Sequence, residues 1–425
     1  MRSHQTAFPI VPDILHDLDL MAKDSRRRDG PRLEWLARRV LGAAITWPFM
    51  PHFLIRDTKP ADGSLSGGIS GSLSLYLDLL RFGSALAVFI GHLFSNAIWS
   101  GGQGWSPSIQ NDAVVCFFVL SGFVIGFVAE QKERLFSVYL RARLARLWSV
   151  AIPGLLITVL LDFIGHQADA SAYFAPAKSG IATFKEVAVS ALFLNEMRHW
   201  AVIPGSNLPY WSLSYEFAYY LLFGVAFYLR GWIRPVLLAG TALLIGPRIL
   251  LLLPVWLLGW GVWRLQARLS PALGFILFAG SILAYLALSL SGAGPRLGLY
   301  LDQTLLADRW LGWSQLAGWK YLLGLLVAAN ILGFSSFADR VSFGSWAPLI
   351  RAAAGTTFAL YLFHYPLLSF FGAVLPGPGP GLLHCLEIGA LTLLCVLGLS
   401  QISERQKHRW QKALHRSWNF GFRRP

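Results

Sequence analysis

Residues 113–130 read AVVCFFVLSGFVIGFVAE, and no charged side chain occurs in this run before its final glutamate. A helix that crosses the ~30 Å hydrocarbon core of a bilayer needs roughly 20 mostly apolar residues. Nine further runs have this character: 75–95, 147–165, 211–229, 234–247, 249–264, 271–290, 319–337, 353–375 and 382–400. We therefore predict an all-α integral membrane protein with about ten transmembrane helices.

The composition of the whole chain agrees with this class. Hydrophobic residues make up 55% of the 425 residues and charged residues 14%, whereas soluble domains average about 25% charged. The net charge of +14 could suggest nucleic acid, but the basic residues crowd the two ends and the short gaps between apolar runs. That distribution is typical of the cytoplasmic side of a membrane protein, so we expect no nucleic-acid partner.

The same charges predict the orientation of the chain. With ten spans and a cytoplasmic N-terminus, the inner loops carry more lysine and arginine than the outer loops, and both terminal segments lie inside. The apolar stretch 184–194 is too short to cross, and counting it would place the basic tail outside. We interpret it as a re-entrant or interfacial segment.

The chain divides into three predicted regions. Residues 1–72 form a basic cytoplasmic segment. Within it, residues 33–50 could lie on the membrane surface, and the Gly/Ser stretch 63–74 is a linker to the first span. Residues 73–400 form the transmembrane domain, and 401–425 form a basic cytoplasmic tail. The three cysteines have no metal-binding spacing, so we predict neither a disulfide framework nor a metal site.

The first span carries three ionisable residues: Asp78, Arg81 and His92. Such groups are costly inside a bilayer and are functional candidates by default. Asp78 and Arg81 are three residues apart and can pair on one helix face. Arg81 and His92 also share a face but are about 16 Å apart along the helix axis, so they can line one passage without touching.

Three more charged features accompany this helix. Arg141, Arg143 and Arg146 follow the second span, and the last two, on a helix, can present two guanidinium groups to one anion; ordinary cytoplasmic charge is an equally good reading. Glu216 lies just inside the outer end of the fourth span. His364 lies in the middle of a later span, where a core histidine is the favoured interpretation.

Five motifs together resemble the acyltransferase 3 family of membrane-bound O-acyltransferases. In chain order they are LDLLR at 77–81 with Val88 and His92, FFVLSGF at 117–123, RLAR at 143–146, WSLSYE at 211–216 and YLFHYP at 361–366. The resemblance covers roughly residues 73–400. Two positions depart from the family pattern: Val115 replaces a common acidic residue, and Ser149 replaces a common proline.

The resemblance implies transfer of an acyl group, usually acetyl, from cytoplasmic acyl-CoA to a carbohydrate hydroxyl. Such a transfer needs a base near neutral pH, and histidine suits that role. We hypothesise that His92 is this base, with Glu216 orienting it or stabilising its cation, and that Arg81 holds a phosphate or the thioester oxygen of the donor. Arg143 and Arg146, with the adjacent Arg141, would bind the CoA phosphates. An acyl-histidine intermediate also remains possible.

The expected setting is the bacterial inner membrane, with acyl-CoA as donor and a carbohydrate or glycolipid as acceptor. The sequence leaves the acceptor open among surface polysaccharides, oligosaccharides, glucans and macrolide-like small molecules; loops 165–209 and 291–318 would shape that choice. The alternative is a transporter or flippase with a pathway lined by arginine and histidine. The two halves of the chain show no convincing repeat, which weakens this alternative. A scaffold without chemistry would leave Arg81, His92 and Glu216 unexplained.

Overall fold

A computed structural model describes residues 69–95, 109–198, 200–265, 269–305, 311–375 and 381–420. The chain divides into two units, 1–55 and 56–425, and every described residue belongs to the second unit. The predicted basic segment 1–72 and its surface helix therefore lie almost wholly outside the described residues.

Fifteen α-helices form the framework of the described residues. In chain order these are α1 (Gly71–Leu93), α2 (Ile109–Gln131), α3 (Phe136–Ala168), α4 (Gly180–Ala191), α5 (Trp211–Tyr228), α6 (Ile233–Ile245), α7 (Pro247–Leu251), α8 (Leu253–Leu265), α9 (Pro271–Leu290), α10 (Ala293–Leu305), α11 (Ala317–Ser335), α12 (Ala347–Ala354), α13 (Thr357–Val374), α14 (Leu382–Ile402) and α15 (Lys407–Phe420).

The helix starts follow local sequence signals. Ser70 precedes α1, and its hydroxyl accepts a hydrogen bond from the backbone N–H of Leu73 at 3.2 Å. Ser270 caps α9 in the same way, and Pro271 occupies the first helical position. A serine cap satisfies one of the backbone donors that a helix start leaves unpaired.

The prediction of a multi-pass, all-helical membrane protein is confirmed. In the described part of the chain, seven helical segments are long and apolar enough to span a bilayer: α1, α2, α3, α9, α11, α13 and the run Leu382–His415. The other three predicted spans, 211–229, 234–247 and 249–264, coincide with α5, α6 and α8. The last two, α6 and α8, have 13 residues each and are about 20 Å long. They are short because the helical structure is interrupted at Gly246-Pro247.

The orientation of the termini stays a prediction. The apolar stretch 184–194 begins within α4, which has 12 residues and is therefore about 18 Å long, too short to cross alone. The predicted tail is partly helical, since α15 follows α14 after a short turn and packs against α3.

Helix α2 packs against α8 through glycines on both helices. A Cβ atom on Gly122 would lie 1.9 Å from the backbone oxygen of Trp256, and one on Gly259 would lie 1.8 Å from that of Val119. The Ser121-Gly122 pair is thus the close helix-packing point that small residues create in membrane proteins.

We expect Gly259→Ala to destabilise the protein by about 3 kcal/mol, because the added methyl group forces two helix backbones apart. Gly261→Ala is the matched control on the same helix, since no atom lies within 4 Å of its added Cβ. Thermal unfolding of purified protein in detergent measures both. Equal unfolding midpoints for the two variants would contradict the close approach of α2 and α8.

Candidate active site

Five helices, α1, α2, α3, α5 and α13, surround a cavity of about 70 Å³ that is open at one end. We call it the arginine cavity and define it by the charged side chains in its lining: Arg81, Arg143, Arg146, Glu216 and Glu404. Four of these five were predicted as site residues. Helices that are far apart in sequence thus bring them to one place.

Arg143 is a paired cation. Its Nη2 donates a hydrogen bond of 2.6 Å to Oε1 of Glu133, and the two side chains are only 8% and 14% exposed. Its guanidinium also lies 5.6 Å from the ring centroid of Tyr139 and 5.9 Å from that of Tyr220. Burial raises the pKa of Glu133, and the charge of Arg143 opposes that rise. The protein itself therefore fixes the position of Arg143.

Arg146 lies one helical turn further along α3 and differs from Arg143. Within the described residues its side chain forms no hydrogen bond or ion pair, and it shares the cavity lining with Glu216 and Glu404. Its guanidinium donors are therefore available to an anion in the cavity. Arg141, the third predicted arginine, does not line the cavity; its Nε donates to the backbone oxygen of Ser137 at 3.2 Å.

Arg81 reaches the cavity from α1. Its predicted pairing with Asp78 is confirmed, with 3.5 Å between Nη1 and Oδ1. Arg81 and Arg146 line the same cavity and carry like charges, which repel each other. An anionic substrate group between the two guanidinium groups would relieve that repulsion.

Glu216 has partners inside the arginine cavity. Its Oε1 accepts hydrogen bonds from the hydroxyl groups of Tyr220 and, at 3.3 Å, Ser121. Ser121 in turn accepts from Nε1 of Trp256 at 3.1 Å. Within the described residues Glu216 forms no hydrogen bond with His92, so the orienting contact that we hypothesised between them is not formed.

Glu404 was not identified from the sequence. Its carboxylate accepts hydrogen bonds from the backbone N–H groups of Phe358 at 2.9 Å and Ala359 at 3.1 Å, at the start of α13. A carboxylate is favourable at a helix N-terminus, where backbone donors are unpaired. This contact holds the N-terminus of α13 beside the arginine cavity.

His92 lines a second, smaller cavity of about 20 Å³, which we call the histidine cavity. Nδ1 of His92 lies 2.9 Å from Nε2 of His364, and the rings are nearly parallel, with centroids 5.1 Å apart. The ring of Tyr365 stands edge-on to His92 at 5.0 Å. The partner of His92 is thus a second histidine from α13.

Tryptophan and amide side chains form other walls of the histidine cavity. Trp211 and Trp313 stack with ring centroids 5.1 Å apart. Trp313 donates from Nε1 to Glu196 at 3.2 Å, and burial raises the pKa of Glu196 to about 7 although Arg248 opposes it. Oε1 of Gln110 is buried without a hydrogen-bond partner in the described residues. A donor group in the cavity could satisfy that oxygen.

A thin wall separates the two cavities. Val114 and Tyr361 belong to the lining of both. The Tyr361 hydroxyl lies 2.7 Å from Oγ of Ser212, which lines the arginine cavity, and 3.2 Å from the backbone oxygen of Pro209, which lines the histidine cavity. Motion of the Tyr361 side chain would therefore connect the two spaces.

Comparison with known proteins identifies the class. The model of the acyltransferase 3 family, described as an acyltransferase domain, matches residues 74–400. The chain therefore belongs to the acyltransferase 3 family and is a multi-pass membrane protein.

One curated relative shows a partial match. The chain is 29% identical over 150 residues to "Acyltransferase MdmB" of Streptomyces mycarofaciens, across 34% of this chain and 36% of that protein. The match thus spans about a third of the length of this curated relative. No solved structure matches the chain.

Proposed function

We propose that this protein transfers an acyl group, with acetyl as the expected group, from acyl-CoA to a hydroxyl of a carbohydrate acceptor. The acceptor would be a surface polysaccharide or a glycolipid, and the setting the bacterial inner membrane. The observation that carries the proposal is the pair of adjacent cavities, one lined by arginines and one by His92, which share Val114 and Tyr361.

The arginine cavity supports binding of the donor. Acyl-CoA carries several phosphate groups, and guanidinium groups recognise phosphate through paired, charge-assisted hydrogen bonds. Arg146 has donors available, and Arg81 adds a second positive charge to the same cavity. Arg143, held by Glu133, adds a fixed positive charge to the same wall. We assign Arg141 no direct contact with the donor.

The histidine cavity supports the proton transfer. The acceptor oxygen attacks the thioester carbonyl carbon and forms a C–O bond while the C–S bond breaks. His92 takes the proton of the hydroxyl as the new bond forms and returns a proton to the CoA thiolate that leaves. The buried oxygen of Gln110 offers a hydrogen-bond acceptor to another hydroxyl of the same substrate. A carbohydrate provides several such hydroxyls.

Tyr361 and Val114 lie where the two substrates would meet. The phosphate end of the donor would occupy the arginine cavity, while its thioester end extends toward the histidine cavity past Tyr361. Along α1, Arg81 and His92 are about 16 Å apart, a separation that the extended pantetheine arm of CoA can cover. This arrangement explains why the two predicted residues share one helix face without touching.

Release of free CoA thiol from acetyl-CoA in membrane vesicles tests this proposal. We expect thiol release by the parent protein to rise when a mixed glycan extract is added as acceptor, and labelled acetyl to appear on the glycan. Vesicles that lack the protein are the control. Donor binding without release of thiol for any glycan tested would contradict the proposal, and movement of a solute without release would favour the transporter alternative.

A further inference from the structure

We propose that His364 is a positioning residue that holds His92 in the tautomer with its basic lone pair on Nε2. The inference rests on the proposed function, because it assigns a role within the same reaction. It replaces the interpretation of His364 as a core histidine, which the sequence alone favoured.

The proposal follows from a chain of two hydrogen bonds. Nδ1 of His364 lies 2.8 Å from the backbone oxygen of Leu360, and a carbonyl oxygen can only accept. Nδ1 of His364 must therefore carry a hydrogen, and in a neutral ring Nε2 then has a lone pair. That lone pair faces Nδ1 of His92 at 2.9 Å, so Nδ1 of His92 is the donor.

The tautomer of His92 determines which of its ring nitrogens can act as the base. A neutral His92 with hydrogen on Nδ1 has its lone pair on Nε2. Within the described residues no protein group forms a hydrogen bond with Nε2 of His92, and the side chain lines the histidine cavity. Nε2 is therefore the nitrogen that can take a proton from an acceptor hydroxyl. The backbone of α13 thus selects the basic atom on α1 through His364.

The surroundings of His364 keep this relay in place. Its side chain is fully buried, and the ring of Phe89 stands edge-on to it at 6.2 Å. Helix α13 packs against α1, α3 and α14. In serine hydrolases an aspartate performs the same service for the catalytic histidine; here a neutral imidazole would do so without placing a negative charge in the membrane.

Turnover of matched variants tests the role. We expect His364→Phe, which offers no acceptor, to lower kcat at least tenfold while leaving the KM for acetyl-CoA unchanged. His364→Gln places an amide oxygen that can accept from Nδ1 of His92, and it should restore kcat to within about fivefold of the parent. The double variant with His92→Ala should be no slower than His92→Ala alone, because His364 acts only through His92.

Three results would overturn the inference: parental kcat in His364→Phe, equal loss in the phenylalanine and glutamine variants, or additive losses in the double variant. A separate readout needs neither turnover nor a substitution of His364. Side-chain ¹⁵N NMR spectra of the parent and of His92→Ala, subtracted from each other, isolate the His92 signals. Hydrogen on Nδ1 supports the inference and hydrogen on Nε2 refutes it. Failure of the proposed function would instead appear as no thiol release by the parent.

Discussion

His92→Ala is expected to lower kcat for acetyl transfer by about 10²–10⁴-fold, the usual contribution of a positioned general acid–base. The loss is expected because His92 lines the histidine cavity beside Gln110 and Trp211, where it would take the proton of the acceptor hydroxyl. Steady-state thiol release in vesicles, with saturating glycan acceptor and varied acetyl-CoA, gives kcat and KM separately.

His384→Ala is the matched control for this variant. His384 lies on α14, pairs with Glu387 at 3.6 Å and lines neither cavity, so its loss should leave kcat within about twofold of the parent. A parental kcat in His92→Ala would remove the base assignment, whatever happens to the control.

The second large effect is expected for Arg146→Ala. Loss of charge-assisted hydrogen bonds worth about 1.5–3 kcal/mol should raise the KM for acetyl-CoA by about 10–150-fold, with little change in kcat. Titration of acetyl-CoA against initial rates measures it. The effect should weaken at high salt, because the interaction is ionic and the cavity has an open end.

Arg141→Ala provides the comparison, since this arginine is close in sequence but does not line the cavity. Its KM should stay within about twofold of the parent. Equal KM values for the two alanine variants would contradict the assignment of Arg146 to the donor. Arg143→Ala is a poorer test, because it would also leave the buried carboxylate of Glu133 without its ionic partner.

The sequence predicted the helices and most of the charged site residues for a simple physical reason. An apolar run long enough to span a bilayer can be recognised in the sequence without knowing which helices it contacts. A charged residue inside such a run is a candidate for function because burying its charge costs free energy. Arg81 and Glu216 were found in this way, whereas Arg146 was found by its three-residue spacing from Arg143. The separation of Arg141 from Arg143 was missed, although residues i and i+2 of a helix point about 200° apart.

The contacts between helices could not be read in the same way. His92 and His364 are 272 residues apart in the chain, and hydropathy does not state which helices are neighbours. Glu404 lies beyond the last predicted span, where a carboxylate is unremarkable in sequence. Glu216 was assigned to His92 because both were predicted to lie at the outer side of the membrane, yet Tyr220, one turn further along α5, is its partner.

Equilibrium binding of acetyl-CoA to the parent, His92→Ala and Arg146→Ala tests the two-cavity account most directly. We expect His92→Ala to bind acetyl-CoA as tightly as the parent while releasing almost no thiol, and Arg146→Ala to bind it at least tenfold more weakly. Equal weakening of donor binding in both variants would contradict separate donor and proton-transfer sites.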